Sequence, residues 1–137
     1  MLAEAVKAAT ARPTRFRFLY TDDDPLTTKI ESIARKVYGA AGTELTPAAA
    51  KQAAQLEADG LGRLPVCMAK THLSLSHNPR ALGAPEGFIL PVRELRPYTG
   101  AGWIVALCGE MQTMPGLPSK PAALRIELEG GRIHGLR

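Results

Sequence analysis

Aromatic side chains are scarce in this chain: one Trp, three Tyr and three Phe make up 5% of its 137 residues. Any core must therefore be mostly aliphatic, and the 45% hydrophobic fraction is enough to build one. Cysteine is equally sparse. Cys67 and Cys108 lie far apart, each within an apolar run, so they read as small buried hydrophobes in a reducing compartment and not as a disulfide or a metal pair. No apolar run approaches the roughly 20 residues that cross a bilayer. The first seven residues carry an acid early and lack the charged-then-apolar order of a leader, so a cytoplasmic protein is expected, with no membrane partner. Nor is there a Lys/Arg block. The net charge of +4 is spread along the chain, which argues for a solvated surface and against nucleic acid. Repeats, low-complexity tracts and a Gly-x-x-x-x-Gly-Lys-Ser/Thr phosphate loop are all missing.

What is present predicts an α/β protein: N-terminal helices with a short strand, then a mixed, largely antiparallel sheet ending in a β-hairpin. Residues 2–11 are alanine-rich and read as a helix. Residues 16–20 alternate and are aromatic, which fits a short strand. Asp22-Asp23-Asp24-Pro25 reads as a helix entry, with Asp24 capping free N–H groups and Pro25 at the first helical position. In the helix that follows, Leu26, Ile30, Ile33, Ala34 and Val37 share one face, with Lys29, Glu31, Arg35 and Lys36 assigned elsewhere and Gly39 as the stop. Thr46-Pro47 starts another helix, which runs to Asp59 and buries Ala49, Ala53 and Leu56. Residues 64–69 read as a buried strand. Residues 88–95 read as a second, with Pro91 demanding an edge or a bulge. Residues 103–108 form an unbroken apolar run suited to a central strand covered on both faces. Leu124, Ile126 and Leu128 alternate with charges before a Gly130-Gly131 hairpin turn, and residues 133–136 return.

Several residues invite a chemical reading. Lys70-Thr71-His72 follow a strand directly, where an α/β sheet meets its ligand, and an ammonium beside a hydroxyl suits an anion. A loop that merely caps a neighbouring element explains them as well. Arg93 and Arg96 flank Glu94, either as a salt bridge or as an anion clamp. Gly100-Ala101-Gly102 lacks the third glycine and following helix of a dinucleotide fingerprint, and reads as a turn between antiparallel strands. His72 and His77, five apart and without an acidic partner, do not make a zinc site. Ser74 and Ser76 lack the orienting acid and the Gly-x-Ser-x-Gly turn of a nucleophile. Asp22 to Asp24, with no second acidic cluster, read as a cap, so no metal ligand is assigned.

The wording of the chain carries more than its patterns. The segments Phe16-Arg17-Phe18-Leu19-Tyr20, Lys29-Ile30-Glu31-Ser32-Ile33-Ala34, Val37-Tyr38-Gly39-Ala40 and Leu64-Pro65-Val66-Cys67-Met68-Ala69-Lys70-Thr71 resemble formate–tetrahydrofolate ligases in their C-terminal portion. So do Leu73-Ser74-Leu75-Ser76, Gly87-Phe88, Arg93-Glu94-Leu95-Arg96, Gly100-Ala101-Gly102, Thr113-Met114-Pro115-Gly116-Leu117-Pro118 and the closing Gly135-Leu136. The synthetase part of C1-tetrahydrofolate synthase is similar as well. Departures are Pro97-Tyr98-Thr99 before the glycines, Trp103 in place of phenylalanine, and Arg137.

The resemblance implies a C–N ligase that uses ATP and Mg to join formate to tetrahydrofolate through formyl phosphate. It implies two segments: residues 1–62 as the end of a middle domain, and residues 63–137 as a C-terminal sheet-rich domain. It places Lys70, Thr71, His72, Arg93, Gly100, Gly102, Met114, Pro115 and Gly116 near substrate or nucleotide, and assigns no catalytic residue here. The family's phosphate-binding loop and its folate-stacking tryptophan belong to the longer N-terminal part, so these 137 residues alone are expected to be inactive and to hold no cofactor tightly. A separate N-terminal ligase polypeptide is one implied partner. The alternative is a non-catalytic module, derived from that enzyme, for another small ligand or a protein.

Overall fold

The structure is a computed structural model and describes residues 2–111 and 120–135. Its elements in chain order are α1 (Leu2–Thr10), α2 (Leu26–Tyr38), β1 (Gly42–Leu45), α3 (Pro47–Ala58), β2 (Val66–Ala69), β3 (Ile89–Tyr98), β4 (Trp103–Cys108), a 3-10 turn (Ala122–Arg125), β5 (Glu127–Glu129) and β6 (Arg132–His134). Strands β1 to β4 form one mixed sheet in the order β1-β3-β4-β2, and β5 with β6 makes a separate hairpin. The expected class holds. In the four-stranded sheet the β1–β3 and β2–β4 ladders are parallel, and the longest, β3–β4, is antiparallel.

A single irregularity makes this sheet fit its core. Leu90 and Val92 on β3 are buried, and so is Leu95, which strict alternation would send to the opposite face. The register shifts between Val92 and Glu94, and this extra residue restores Leu95 to the side of its neighbours. The bulge expected around Pro91 is therefore present, inside a central strand. Leu90, Val92, Leu95, Ile104, Ala106 and Cys108 then meet Leu26, Ile30 and Ala34 of α2 and Ala49, Ala53 and Leu56 of α3 in one cluster. Both helices thus lie on one face of the sheet.

The α3 entry follows its sequence: Thr46 Oγ1 accepts the Ala49 amide at 3.1 Å, with Pro47 opening the helix. Gly39 ends α2 at φ +74°. Gly130 and Gly131, both at positive φ, turn the terminal hairpin as expected.

Other expectations are corrected. Residues 16–20 do not form a strand; they are irregular, with residues 16–19 exposed and Tyr20 half-buried, and the segment meets the edge of β2 through the Tyr20 hydroxyl and not through a backbone ladder. Asp24 does not cap α2. Its Oδ2 accepts the Thr21 amide at 2.8 Å, closing the preceding turn, while the Leu26 amide is satisfied by Glu57 Oε1 of α3, also at 2.8 Å. Val37 is exposed, and Lys29 is fully buried. Strand β2 is a half-exposed edge strand on which Cys67 faces solvent; only Cys108 is a buried thiol. Strand β4 is central, yet Trp103 stays exposed because the helices cover the other face. No helix among the described residues is long and apolar enough to cross a membrane.

Candidate functional site

Because β2 and β4 run parallel, their carboxyl ends emerge at the same edge of the sheet. That edge, beyond the carboxyl ends of strands, is where open α/β sheets bind ligands. The β2 end continues into the loop of residues 70–83, and the β4 end into Gly109 and Glu110. Arg93 reaches the same edge from β3, beside the bulge where Val92 pairs with Cys108. Lys70, Thr71, His72 and Arg93 are therefore brought to one end of the sheet.

The loop is held from within. Lys70 donates its ammonium hydrogens to the carbonyls of Thr71, at 3.1 Å, and of Ser74, and lies 4.9 Å from the centre of the Tyr38 ring. Burial lowers the Lys70 pKa from its ordinary value and raises that of the Tyr38 phenol. Ser74 and Ser76 are buried and hydrogen-bonded to each other at 2.9 Å. The Ser74 hydroxyl also donates to the Ala81 carbonyl and accepts the Ser76 amide at 3.0 Å. Ser76 Oγ accepts the Asn78 amide at 3.1 Å. Leu75 and Gly83 close the base, the Leu75 amide donating to the Gly83 carbonyl at 2.8 Å. These serines fasten the loop; they are not poised to attack a substrate. Thr71 accepts the Leu73 amide at 3.3 Å, and His72 is exposed.

Arg96 makes a two-pronged bond to Glu94, at 2.7 and 2.9 Å, and holds the Glu94 carboxyl below its ordinary range. The salt bridge, not the clamp, describes that pair. Arg93 is exposed, and its carbonyl accepts the Thr46 hydroxyl at 2.8 Å. Gly100 and Gly102 turn β3 into β4, at the opposite end of the sheet from Lys70; six residues of β4 set this separation at roughly 20 Å. Met114, Pro115 and Gly116 lie outside the described residues.

A feature missed in the sequence sits beside the loop. His77, Asn78, Pro79, Gly109 and Glu110 line a cleft of about 410 Å³. His77 Nδ1 is buried there without a hydrogen-bond partner among the described residues. Gly109 turns the chain beside His77 at φ +76°, a backbone conformation that favours glycine, and an added Cβ would come to 3.4 Å from both Cβ and the carbonyl oxygen of His77, which is ordinary contact. The signal was the abrupt end of the apolar run at Gly109.

Donors for a metal do not converge. Asp23 pairs with Arg63 at 3.2 Å, Asp24 closes a turn, and no group of three His, Cys, Asp or Glu could hold an ion among the described residues. These side chains do not fit a resident Mg ion.

The family model described as formate–tetrahydrofolate ligase matches residues 1–137. The chain belongs to the formate–tetrahydrofolate ligase family. The ligase of Saccharopolyspora erythraea is 60% identical over 136 residues, covering 98% of this chain and 24% of the relative. Those of Symbiobacterium thermophilum and of a Roseiflexus species (strain RS-1) are each 52% identical over the same share. The chain thus spans about a quarter, 24%, of the length of these formate–tetrahydrofolate ligases.

Beneath the site, burial pushes the Cys108 thiol up to about 12 from an ordinary 9.0, against the favourable field of Lys70. A thiol that stays neutral longer when folded stabilises the fold fully below pH 9, and this contribution is lost as pH rises toward 12. Cys108→Ala should therefore cost about 1 kcal/mol at pH 7 from the lost contacts and flatten the alkaline fall in stability. Urea melts at pH 7 and pH 10.5 test this; parallel losses in both proteins would refute it.

Proposed function

We propose that this chain serves as the C-terminal region of a formate–tetrahydrofolate ligase and forms 10-formyltetrahydrofolate only together with the remainder of that enzyme. The single observation that carries this reading is the match to ligases along essentially the whole chain, at 60% identity to one of them. A carboxylate is a poor electrophile until one oxygen becomes a leaving group. ATP supplies that change by making formyl phosphate, which the folate amine then attacks. Positioning and charge neutralisation do most of such catalysis. With no phosphate loop and no metal-holding cluster among its described residues, this chain contributes walls and not the triphosphate cradle. Its part is the carboxyl edge of β2 and β4, where the internally braced loop of residues 70–83 and Arg93 face the substrates.

The test is a chimera in which residues 1–137 replace the matched quarter of the Saccharopolyspora erythraea enzyme. The chimera should make formyltetrahydrofolate from ATP, formate and tetrahydrofolate, and the chain alone should not. An inactive chimera, or equal turnover by the chain alone, would overturn the reading. Within the chimera, Lys70→Ala and Arg93→Ala should each raise the KM for ATP or tetrahydrofolate about tenfold, roughly 1.4 kcal/mol of binding. Unchanged kinetics would remove both residues from the site.

A further inference from the structure

Residues 2–19 are all exposed. Helix α1 has no buried residue, and its Leu2 and Val6, one turn apart, are both exposed. A nine-residue helix is marginal in water unless an apolar stripe packs against something. Residues 13–18 make no backbone–backbone hydrogen bond among the described residues. Phe16 and Phe18 are 75% and 83% exposed, and their rings meet edge to face with centres 4.9 Å apart. In a chain with only seven aromatic residues, leaving two phenylalanines in water forgoes a large share of the available burial.

The segment is nevertheless anchored at one end. Lys36 Nζ donates to the Leu19 carbonyl at 2.7 Å, and Tyr20 Oη accepts the Val66 amide at 3.1 Å, on the side of β2 away from β4. Phe16, Phe18, Leu19, Tyr20 and Pro65 consequently line one groove of about 310 Å³ next to the free edge of β2. That edge strand, Val66–Ala69, carries no charge and no proline to discourage pairing. The arm is also basic, with Lys7, Arg12, Arg15 and Arg17 against Glu4.

We propose that residues 2–20 are a docking arm whose exposed phenylalanines seat in an apolar slot, edged by carboxylates, on the remaining polypeptide of a formate–tetrahydrofolate ligase. This inference rests on the family reading above. Relatives of which this chain covers 24% supply an occupant of sufficient size. The basic arm specifies the sign of the slot's rim, and the bare edge of β2 marks where the contact continues.

Phe18→Cys, placed in a Cys67→Ser background, gives a thiol whose maleimide labelling can be followed by peptide mass analysis. Labelling should be at least tenfold slower in the chimera than in the isolated 137-residue chain. In parallel, Phe16→Ser/Phe18→Ser should lower the melting temperature of the chimera by several degrees and leave that of the isolated chain unchanged. Equal labelling rates, or equal melting temperatures of the original and doubly substituted chimeras, would overturn the proposal. So would slow labelling in the isolated chain with concentration-dependent self-association, which would make a second copy the occupant. An active chimera with fast labelling removes the docking arm and leaves the ligase reading standing; an inactive chimera whose introduced thiol is protected does the reverse.

Discussion

Replacing Lys29 by Met is expected to cost about 3–5 kcal/mol of stability, enough to unfold much of the protein at ambient temperature. Lys29 lies within α2 at 0% exposure. Its ammonium donates to the carbonyls of Asp22 at 2.8 Å, Gly62 at 2.7 Å and Leu64 at 3.2 Å. One side chain thus ties the turn before α2 to the joint between α3 and β2, with the Tyr20 ring 5.7 Å away. Methionine keeps the stem and removes every donor, leaving three carbonyls to find partners. A hydrogen bond to a charged group contributes about 1.5–3 kcal/mol, and an orphaned buried carbonyl costs about 1–3, so even partial relaxation leaves a large deficit. Burial lowers the Lys29 pKa below 10.5, while Asp22, Asp24 and Asp23 pull it back up. A proton held less tightly in the folded chain means that stability rises as pH climbs from the folded value to 10.5, and the Met variant should lack that rise. Urea melts at pH 7 and across the alkaline range measure both effects. A loss below 1 kcal/mol would show that water replaces the ammonium freely.

Lys29 also marks where reading the sequence stops working. The α2 periodicity was visible, and Leu26, Ile30, Ile33 and Ala34 are buried as expected. Lysine was assigned to solvent by type, although position 29 lies on the same arc, three residues after Leu26 and four before Ile33. Two of the three carbonyls that justify its burial are 33 and 35 residues away. Nothing local announces them. Strand β1 was missed for the same reason: Gly42-Thr43-Glu44-Leu45 is too short to show a pattern, and it becomes a strand by pairing with Ile89 to Val92. Residues 16–20 show the converse. Their alternation is a genuine β signal, but a strand exists only where a backbone ladder forms, and this segment meets the β2 edge through the Tyr20 hydroxyl instead. Thr46-Pro47, Gly39 and Gly130-Gly131 were legible because caps and turns are local chemistry.

The candidate site divides along the same line. That Lys70-Thr71-His72 follow a strand end is local and was readable. That Gly100 and Gly102 sit at the other end of the sheet depends on β2 and β4 being parallel, a pairing of residues 66–69 with 104–107. The role of Ser74 and Ser76 required knowing where the loop returns, at Ala81 and Gly83. The family, by contrast, was legible in words such as Met68-Ala69-Lys70-Thr71, whose order is specific without any knowledge of contacts.

Ser74→Ala should open the loop of residues 70–83 without unfolding the sheet. The Ser74 hydroxyl bridges three points: the Ser76 hydroxyl, the Ser76 amide and the Ala81 carbonyl. All three lose a partner in the alanine variant, in a spot where Ser74 and Ser76 are 4% and 2% exposed and water has little access. A cost of about 2–3 kcal/mol follows from leaving such groups unpaired. It falls on a surface loop whose core contacts are few, so local opening absorbs it before global unfolding does. At 1.4 kcal/mol per decade, the amides of Leu75, Ser76 and Gly83 should exchange with deuterium about 30- to 100-fold faster, while those of Leu95 and Ala106 in the sheet keep their rates. Ser76→Ala should give a smaller effect, and the double variant less than the sum of the two, because the hydroxyls bond each other. On the reading proposed above, in which this loop helps to position substrate, the loosened loop should raise KM in the chimera more than it lowers kcat. Exchange that accelerates equally in loop and sheet would mean that the serine pair supports the whole fold, and the separation of a braced loop from a rigid sheet would then fail.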